Sequence, residues 1–452
     1  MVFFSNSKKS ISFFALCFSM LYVFTEPLSI RLDEAVRLAF QNNVQLSSMA
    51  IDLRMKKAEK DYAWNVFLPS IQATGTMART NIKEASATIP SMSPPGFATI
   101  TTKLDEKDKW KVMGGLNISL NLNAALFEGL RATRQSYEAG LLSYEAARRD
   151  TEQNVKKAFY GLLLQEGSLA ISKEKLASAQ KRKTQMEANF KNGLVSELQY
   201  LQVQLALETQ KPAIMEAELL LAQQKELFAF LLGLPLGTEI VLVGEIAPHI
   251  QEFNADELLA EYLGRSFELA QLDKNKELME TQLRATLLQT YTPTIVLSQT
   301  FNPALGKIDD DWFKKDNWAD TSGAFSLTIA FNLTNLLPFS GMGQNIQKTK
   351  DTIEKLEIAK RQALTMSEIE IRNIVSRLQK TKIAISVMEM NESIAKKALA
   401  LAEDSYKAGL LEYLDLRDAE TSLQQAQLGV LSEKYNYLTT MLDLEKAINT
   451  KW

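Results

Sequence analysis

Two segments of the chain alternate apolar and polar residues with little interruption. In the first, Leu116, Ile118, Leu120 and Leu122 are set against Asn117, Ser119 and Asn121. In the second, Phe325, Leu327, Ile329 and Phe331 are set against Ser326, Thr328 and Asn332. A period of two is the mark of a strand with two unlike faces. Shorter alternations follow Pro69 and Pro293. Four strands are thus predicted, near 70–80, 114–124, 293–302 and 323–334. Between the members of each pair lie a Pro-rich stretch (Pro90, Pro94, Pro95, Gly96) and a polar one (Asp309, Asp310, Asp311, Trp312, Trp318), both expected as irregular loops.

Elsewhere the period is seven. Leu141, Val155, Leu162, Leu169, Leu176 and Phe190 recur in one frame; Leu364, Ile371, Leu378, Ile385, Leu399 and Tyr406 recur in another, with Glu392 interrupting. These are heptad seams of two long helices. The first, without proline over roughly 60 residues, would reach about 90 Å at ~1.5 Å per residue. Each helix ends in the same pattern. Phe190, Lys191, Gly193 and Leu194 match Tyr406, Lys407, Gly409 and Leu410 at an offset of 216 residues. A glycine there supplies the left-handed residue that closes a helix, so each stretch reads as the tip of a helical hairpin. A return helix follows each tip. In the first return helix, 198–232, Pro212 is expected to kink or split the helix; Gly233 and Pro235 stop it. A short strand at 239–243 and a connector to 254 come next. A helix over 32–64 opens the chain, and Ala255, Asp256 and Glu257 restart that pattern. The whole reads as a duplication, with repeats over 26–250 and 251–452.

Composition removes most alternatives. The 452 residues carry 51 Lys+Arg and 54 Asp+Glu, a net charge of -3, so no nucleic-acid footprint is expected. A single histidine, His249, and a single cysteine, Cys17, argue against a catalytic or metal site, leaving carboxylate chemistry open, and no nucleophile–base, metal or cofactor constellation stands out. Lys8 and Lys9 before an apolar run at 11–24 form the layout of a secretory signal peptide, placed at 1–25. Cys17 lies inside that run behind Leu16, which is not the small residue lipid attachment needs. No later apolar run is long enough for a membrane helix. Four strands cannot close a membrane barrel, for which about eight are the minimum, and hydrocarbon does not tolerate open sheet edges. If these strands enter a membrane, several chains share one barrel.

At this point the chain resembles the TolC family of outer-membrane channels. The resemblance is carried by Leu32, Asp33, Glu34, Ala35 and Val36, by Leu126, Phe127, Glu128 and Gly129, and by the Gly233–Pro235 stop. Most specific are Tyr406, Lys407, Ala408, Gly409 and Leu410 followed by Leu414, Asp415, Leu416, Arg417, Asp418 and Ala419. It implies a mainly α protein with membrane β. A homotrimer would build one β-barrel from four strands per chain, set in outer-membrane lipid and continued by a long α-helical barrel. It implies an export duct of a tripartite efflux pump or type I secretion system, working with a periplasmic adaptor (membrane fusion protein) and an inner-membrane transporter. By matching position it implies a gate at Asp415, Asp418, Tyr406 and Gln199, and adaptor docking at Gly193, Leu194, Gly409 and Leu410. The family's acidic latch position is Gln199 here and its basic one is Leu411, so the charged part of that latch is missing. A competing reading, a secreted or surface coiled-coil tether without channel activity, accounts for the heptads but not for the alternating strands or the glycine tips.

Overall fold

The structure is a computed structural model that describes residues 28–81, 84–90, 96–107, 109–305, 308–319 and 323–450. The expected signal peptide with Cys17 lies outside the described residues. In chain order the elements are β1 (Leu28–Ile30), α1 (Leu32–Asn42), α2 (Val44–Asp61), β2 (Ser70–Arg79), β3 (Glu84–Pro90), β4 (Phe97–Lys103), β5 (Trp110–Leu122), α3 (Ala125–Lys191), α4 (Glu197–Glu208) and α5 (Gln210–Leu231). Then come β6 (Ile240–Leu242), α6 (Ala255–Tyr262), α7 (Phe267–Tyr291), β7 (Thr294–Phe301), β8 (Ala304–Leu305), β9 (Trp318–Ala319), β10 (Gly323–Ala330), α8 (Gly341–Lys407) and α9 (Tyr413–Ala447). The order of helix pair, strand, strand, long helix, tip and return helix occurs twice. The helices α3 and α8 each run 67 residues unbroken, Glu392 included.

The chain divides into two compact units, which cut across the sequence repeats. One unit comprises, of the described residues, 28–43, 155–247 and 391–435. Its core joins Ile30, Ala35 and Ala39 to Val155, Phe159 and Leu162 of α3, to Phe228 of α5 and to Leu232 just past its end. The strand β1, which the sequence pattern does not reveal, pairs in parallel with β6. The opening helix is not continuous, as the sequence suggested. It breaks at Asn43, whose ψ is 122° and whose side-chain amide donates to the Leu231 carbonyl at 2.9 Å. The stop at Gly233 fits there because its φ is +71° and an added Cβ would lie 2.2 Å from the Asn42 carbonyl. The return helix is split, between α4 and α5 at Thr209, so that Pro212 falls in the first turn of α5. There its missing N–H removes no intrahelical hydrogen bond.

The other unit comprises residues 44–154, 248–390 and 436–452. Its core packs Leu258 and Leu259 of α6 and Tyr437, Leu444 and Ile448 against Ile371, Ile374, Leu378 and Ile385 of α8. The contacts of α3 with α7 are polar instead. Arg284 meets Glu128, the Gln135 amide donates to Glu277 at 2.8 Å, and Lys274 meets Glu138 at 2.9 Å. Lys274 holds the Glu138 carboxyl below the usual carboxylate range.

The same unit carries the main sheet, in the antiparallel order β2, β5, β7, β10, with β8 and β9 at one end of β5. The register lines up like with like. One face carries the cross-strand rows Leu120, Leu297, Leu327 and Leu122, Ile295, Ile329; the other carries Ser70, Ser119, Ser298, Ser326. Ser298 and Ser326 share a hydrogen bond of 2.8 Å. The chain covers neither face of the edge strands: every residue of β2 and of β10 is exposed, Phe325 at 68 % and Ile329 at 66 %, while β5 and β7 between them are mostly partly buried. Both outer edges, β2 and β10, are unpaired among the described residues. A soluble sheet of this kind would bury one face. The Pro-rich stretch departs in part from the expected loop, Pro94 and Pro95 lying outside the described residues. Its two arms pair as the hairpin β3–β4, with Glu84 opposite Lys103 and Pro90 closing β3 opposite Phe97. Proline is tolerated at the end of an edge strand, where no ladder bond is required.

Candidate functional site

The two tips have the same backbone. Leu194 N donates to Asn189 O at 2.9 Å and Gly193 N to Phe190 O at 2.9 Å; Leu410 N donates to Ser405 O at 2.9 Å and Gly409 N to Tyr406 O at 3.0 Å. These paired bonds satisfy the last carbonyls of α3 and α8 and require a left-handed residue between them. Gly193 and Gly409 supply it, at φ +72° and +73°, with open space around both. The leucines that follow are left outside: Leu194 is 72 % and Leu410 82 % exposed.

Behind the tips lies a small apolar cluster of Met186, Val203 and Tyr413, with Val195, Tyr200 and Tyr406 against it. The Phe190 and Tyr200 rings stack at 5.5 Å. The Tyr406 hydroxyl donates to Met186 Sδ at 3.6 Å. Burial pushes the phenols of Tyr406 and Tyr413 up, against the opposing pull of the Arg182 charge, so both are donors at neutral pH. Two cations of α3 then tie down the start of α9. Arg182 makes a two-pronged ion pair with Glu420, and Lys175 donates to Gln424 at 2.7 Å and Thr421 at 3.2 Å. Burial lowers the Arg182 pKa, yet guanidinium remains charged at any physiological pH.

The residues singled out in the sequence fall as follows. Asp415 and Asp418 lie in the first turns of α9, both exposed. Asp418 accepts from Arg417 at 3.1 Å, while Lys407 is held by Asp404 at 3.4 Å. Gln199 is the third residue of α4 and closes a capping box. Its side-chain oxygen accepts from Ser196 N at 3.0 Å while its own N donates to Ser196 Oγ at 3.3 Å. The pattern Ser-x-x-Gln announces that role in the sequence. The Arg182–Glu420 pair was not legible there, because its members are 238 residues apart. Nor was a second set of exposed apolar residues at heptad spacing: Ile383, Val387, Met390, Ile394 and Leu401 on α8, and Leu198, Leu201, Leu205, Met215 and Leu219 on α4 and α5.

Comparison with known proteins places this geometry. The sequence model of the outer membrane efflux protein family matches residues 35–234 and 263–450. Its fold is similar to the CmeC outer membrane channel of Campylobacter jejuni, with TM-score 0.72 and 17 % identity over 92 % of this chain and 85 % of that one. It is similar also to the outer membrane protein VceC of Vibrio cholerae (TM-score 0.68, 18 % identity, 93 % and 96 % covered). The open state of the Neisseria gonorrhoeae MtrE outer membrane channel gives TM-score 0.70 and 17 % identity, with 93 % and 89 % covered. No curated protein sequence matches the chain. The chain belongs to the outer membrane efflux protein family. It is an outer-membrane export duct of efflux pumps, extending into the periplasm, with a TolC-like fold.

Proposed function

We propose that three copies of this chain form the duct, and that it hands solutes outward from an inner-membrane transporter through a periplasmic adaptor. The observation that carries the trimer is the four-stranded sheet whose edge strands, β2 and β10, are bare on both faces and open along their outer edges among the described residues. Joining the β10 edge of one copy to the β2 edge of the next removes every edge, as hydrocarbon requires. Lipid would meet the Leu120–Leu297–Leu327 face and water the serine row. The exposed heptad stripes of α8 and of α4 and α5 support the same ring, since each is the apolar seam of a coiled coil whose second strand the chain does not itself supply.

The gate belongs to this proposal. Asp415 and Asp418 share one face of α9, and three-fold symmetry would gather six carboxylates around one opening. Such a ring favours cations. The Arg417 contact to Asp418 would temper it. Tyr406 would act beside it by packing, and Gln199 by holding α4 in place. The test is single-channel recording in planar bilayers, with native mass spectrometry of the same sample. A trimer that conducts with cation preference, a preference weakened in Asp415→Asn with Asp418→Asn, is the expected result. A conducting monomer overturns the trimer; unchanged selectivity in the double variant moves the gate elsewhere.

A further inference from the structure

A cavity of about 690 Å³ opens where the polar face of the sheet meets the helices, all within the unit that carries the sheet. Asn121 and Thr294, both on the polar face, form one wall. Leu126 and Leu130 of α3 and Val66 form the apolar floor, and Glu59 and Tyr62, three residues apart, stand at the end of α2. The volume lies within the ~300–1,000 Å³ of ordinary ligand sites. The lining is asymmetric in charge. Glu59 is its one ionisable carboxylate, is exposed, and makes no hydrogen bond or ion pair among the described residues. The neighbouring cation does not neutralise it: Lys60 pairs with Asp61 at 3.2 Å and sits 4.4 Å over the Tyr137 ring. Tyr62 is 65 % exposed and offers an aromatic face.

An apolar floor, a free carboxylate and an aromatic ring together suit one chemistry, a bulky organic cation with apolar substituents. The carboxylate answers its charge, the ring adds a cation–π contact, and the leucines cover its hydrocarbon. We propose that this cavity is a binding site for lipophilic monovalent cations in the duct wall, so that the duct retains such solutes on their way out. The site rests on the duct reading for the identity of the polar face as the lumen.

The test uses the full-length, assembled protein in zwitterionic nanodiscs, with empty nanodiscs as the blank. The probe is tetraphenylphosphonium, and tetraphenylborate, of the same shape and opposite charge, is its control. Calorimetry should show saturable binding of the cation and at least tenfold weaker binding of the borate. Glu59→Gln should weaken the cation roughly tenfold and erase most of the charge preference; Leu130→Trp, which fills the floor, should remove both. Equal binding of the two ions, or cation binding that survives Glu59→Gln and Leu130→Trp unchanged, overturns the site. Potassium conductance of the same preparations separates this from the duct itself. A channel that conducts but does not bind the cation refutes the site and leaves the duct, whereas a preparation that binds but never conducts refutes the duct.

Discussion

The Arg182–Glu420 pair is the contact at which burial and charge meet most closely. Their side chains are only 16 % and 13 % exposed, so water does little to screen them. The charged latch that the family resemblance implied is absent at Gln199 and Leu411, yet a charged tie exists one step further along the hairpin, between α3 and α9. Removing one partner leaves the other charge without its counter-ion in a poorly solvated place. A fully buried pair broken in this way loses about 3–5 kcal/mol; with this residual exposure, about 1–3 kcal/mol is expected. Glu420→Ala should therefore lower the melting temperature of the solubilised protein, and Arg182→Leu with Glu420→Leu should recover most of the loss, since an apolar pair carries no desolvation cost. A single variant that melts like the parent would show the pair to be solvated in practice. Sequence reading could not have found this contact, whereas Ser196 and Gln199 were readable as a capping box because a cap is written within four residues.

At the scale of elements, legibility followed the range of the cause. The heptads that predict α3 and α8 are local and repeated, so both helices run as the pattern indicates. The alternation at Leu116 and Phe325 is local too, and strands stand there. The break at Asn43 is not local: it is fixed by a hydrogen bond to Leu231, 188 residues away. The pairing of β3 with β4 was hidden by prolines that read as breakers, of which Pro90 ends β3 and Pro94 and Pro95 lie outside the described residues. Glycine at the tips is a backbone requirement, which bears on how docking is tested. Any side chain at Gly193 or Gly409 would be strained at φ near +70° whatever the partner does. The exposed leucines beside them are cleaner probes. Leu194→Asp with Leu410→Asp should leave the tip fold and the assembled protein intact and reduce solute export in cells by tenfold or more, read as accumulation of a fluorescent lipophilic cation. Unchanged export in that pair would make the tips turns alone.

For the whole molecule, the two faces of the sheet decide where it can reside. Alternation shows in the sequence that the faces differ; only the register shows that leucine aligns with leucine across three strands and serine with serine across four. That alignment turns a pattern into a prediction about solvent. On a face against lipid, a charged side chain near the midplane costs about 2–4 kcal/mol per chain, less for an acid, and the cost falls toward the interfaces. On a face against water the same charge costs little. Leu327 and Ser326 are neighbours on one strand, equally remote from its ends, and they point to opposite faces. In the proposed three-fold assembly each substitution would be repeated three times in one barrel, so even a modest cost per chain would multiply. Leu327→Lys should thus abolish the heat-modifiable trimer band and the protein's recovery from outer membranes, while Ser326→Lys should leave both near normal and alter only ion selectivity. The reverse pattern, with Ser326→Lys lethal to assembly and Leu327→Lys tolerated, would turn the barrel inside out and require the serine row to face lipid. Equal tolerance of both would remove the sheet from the membrane altogether.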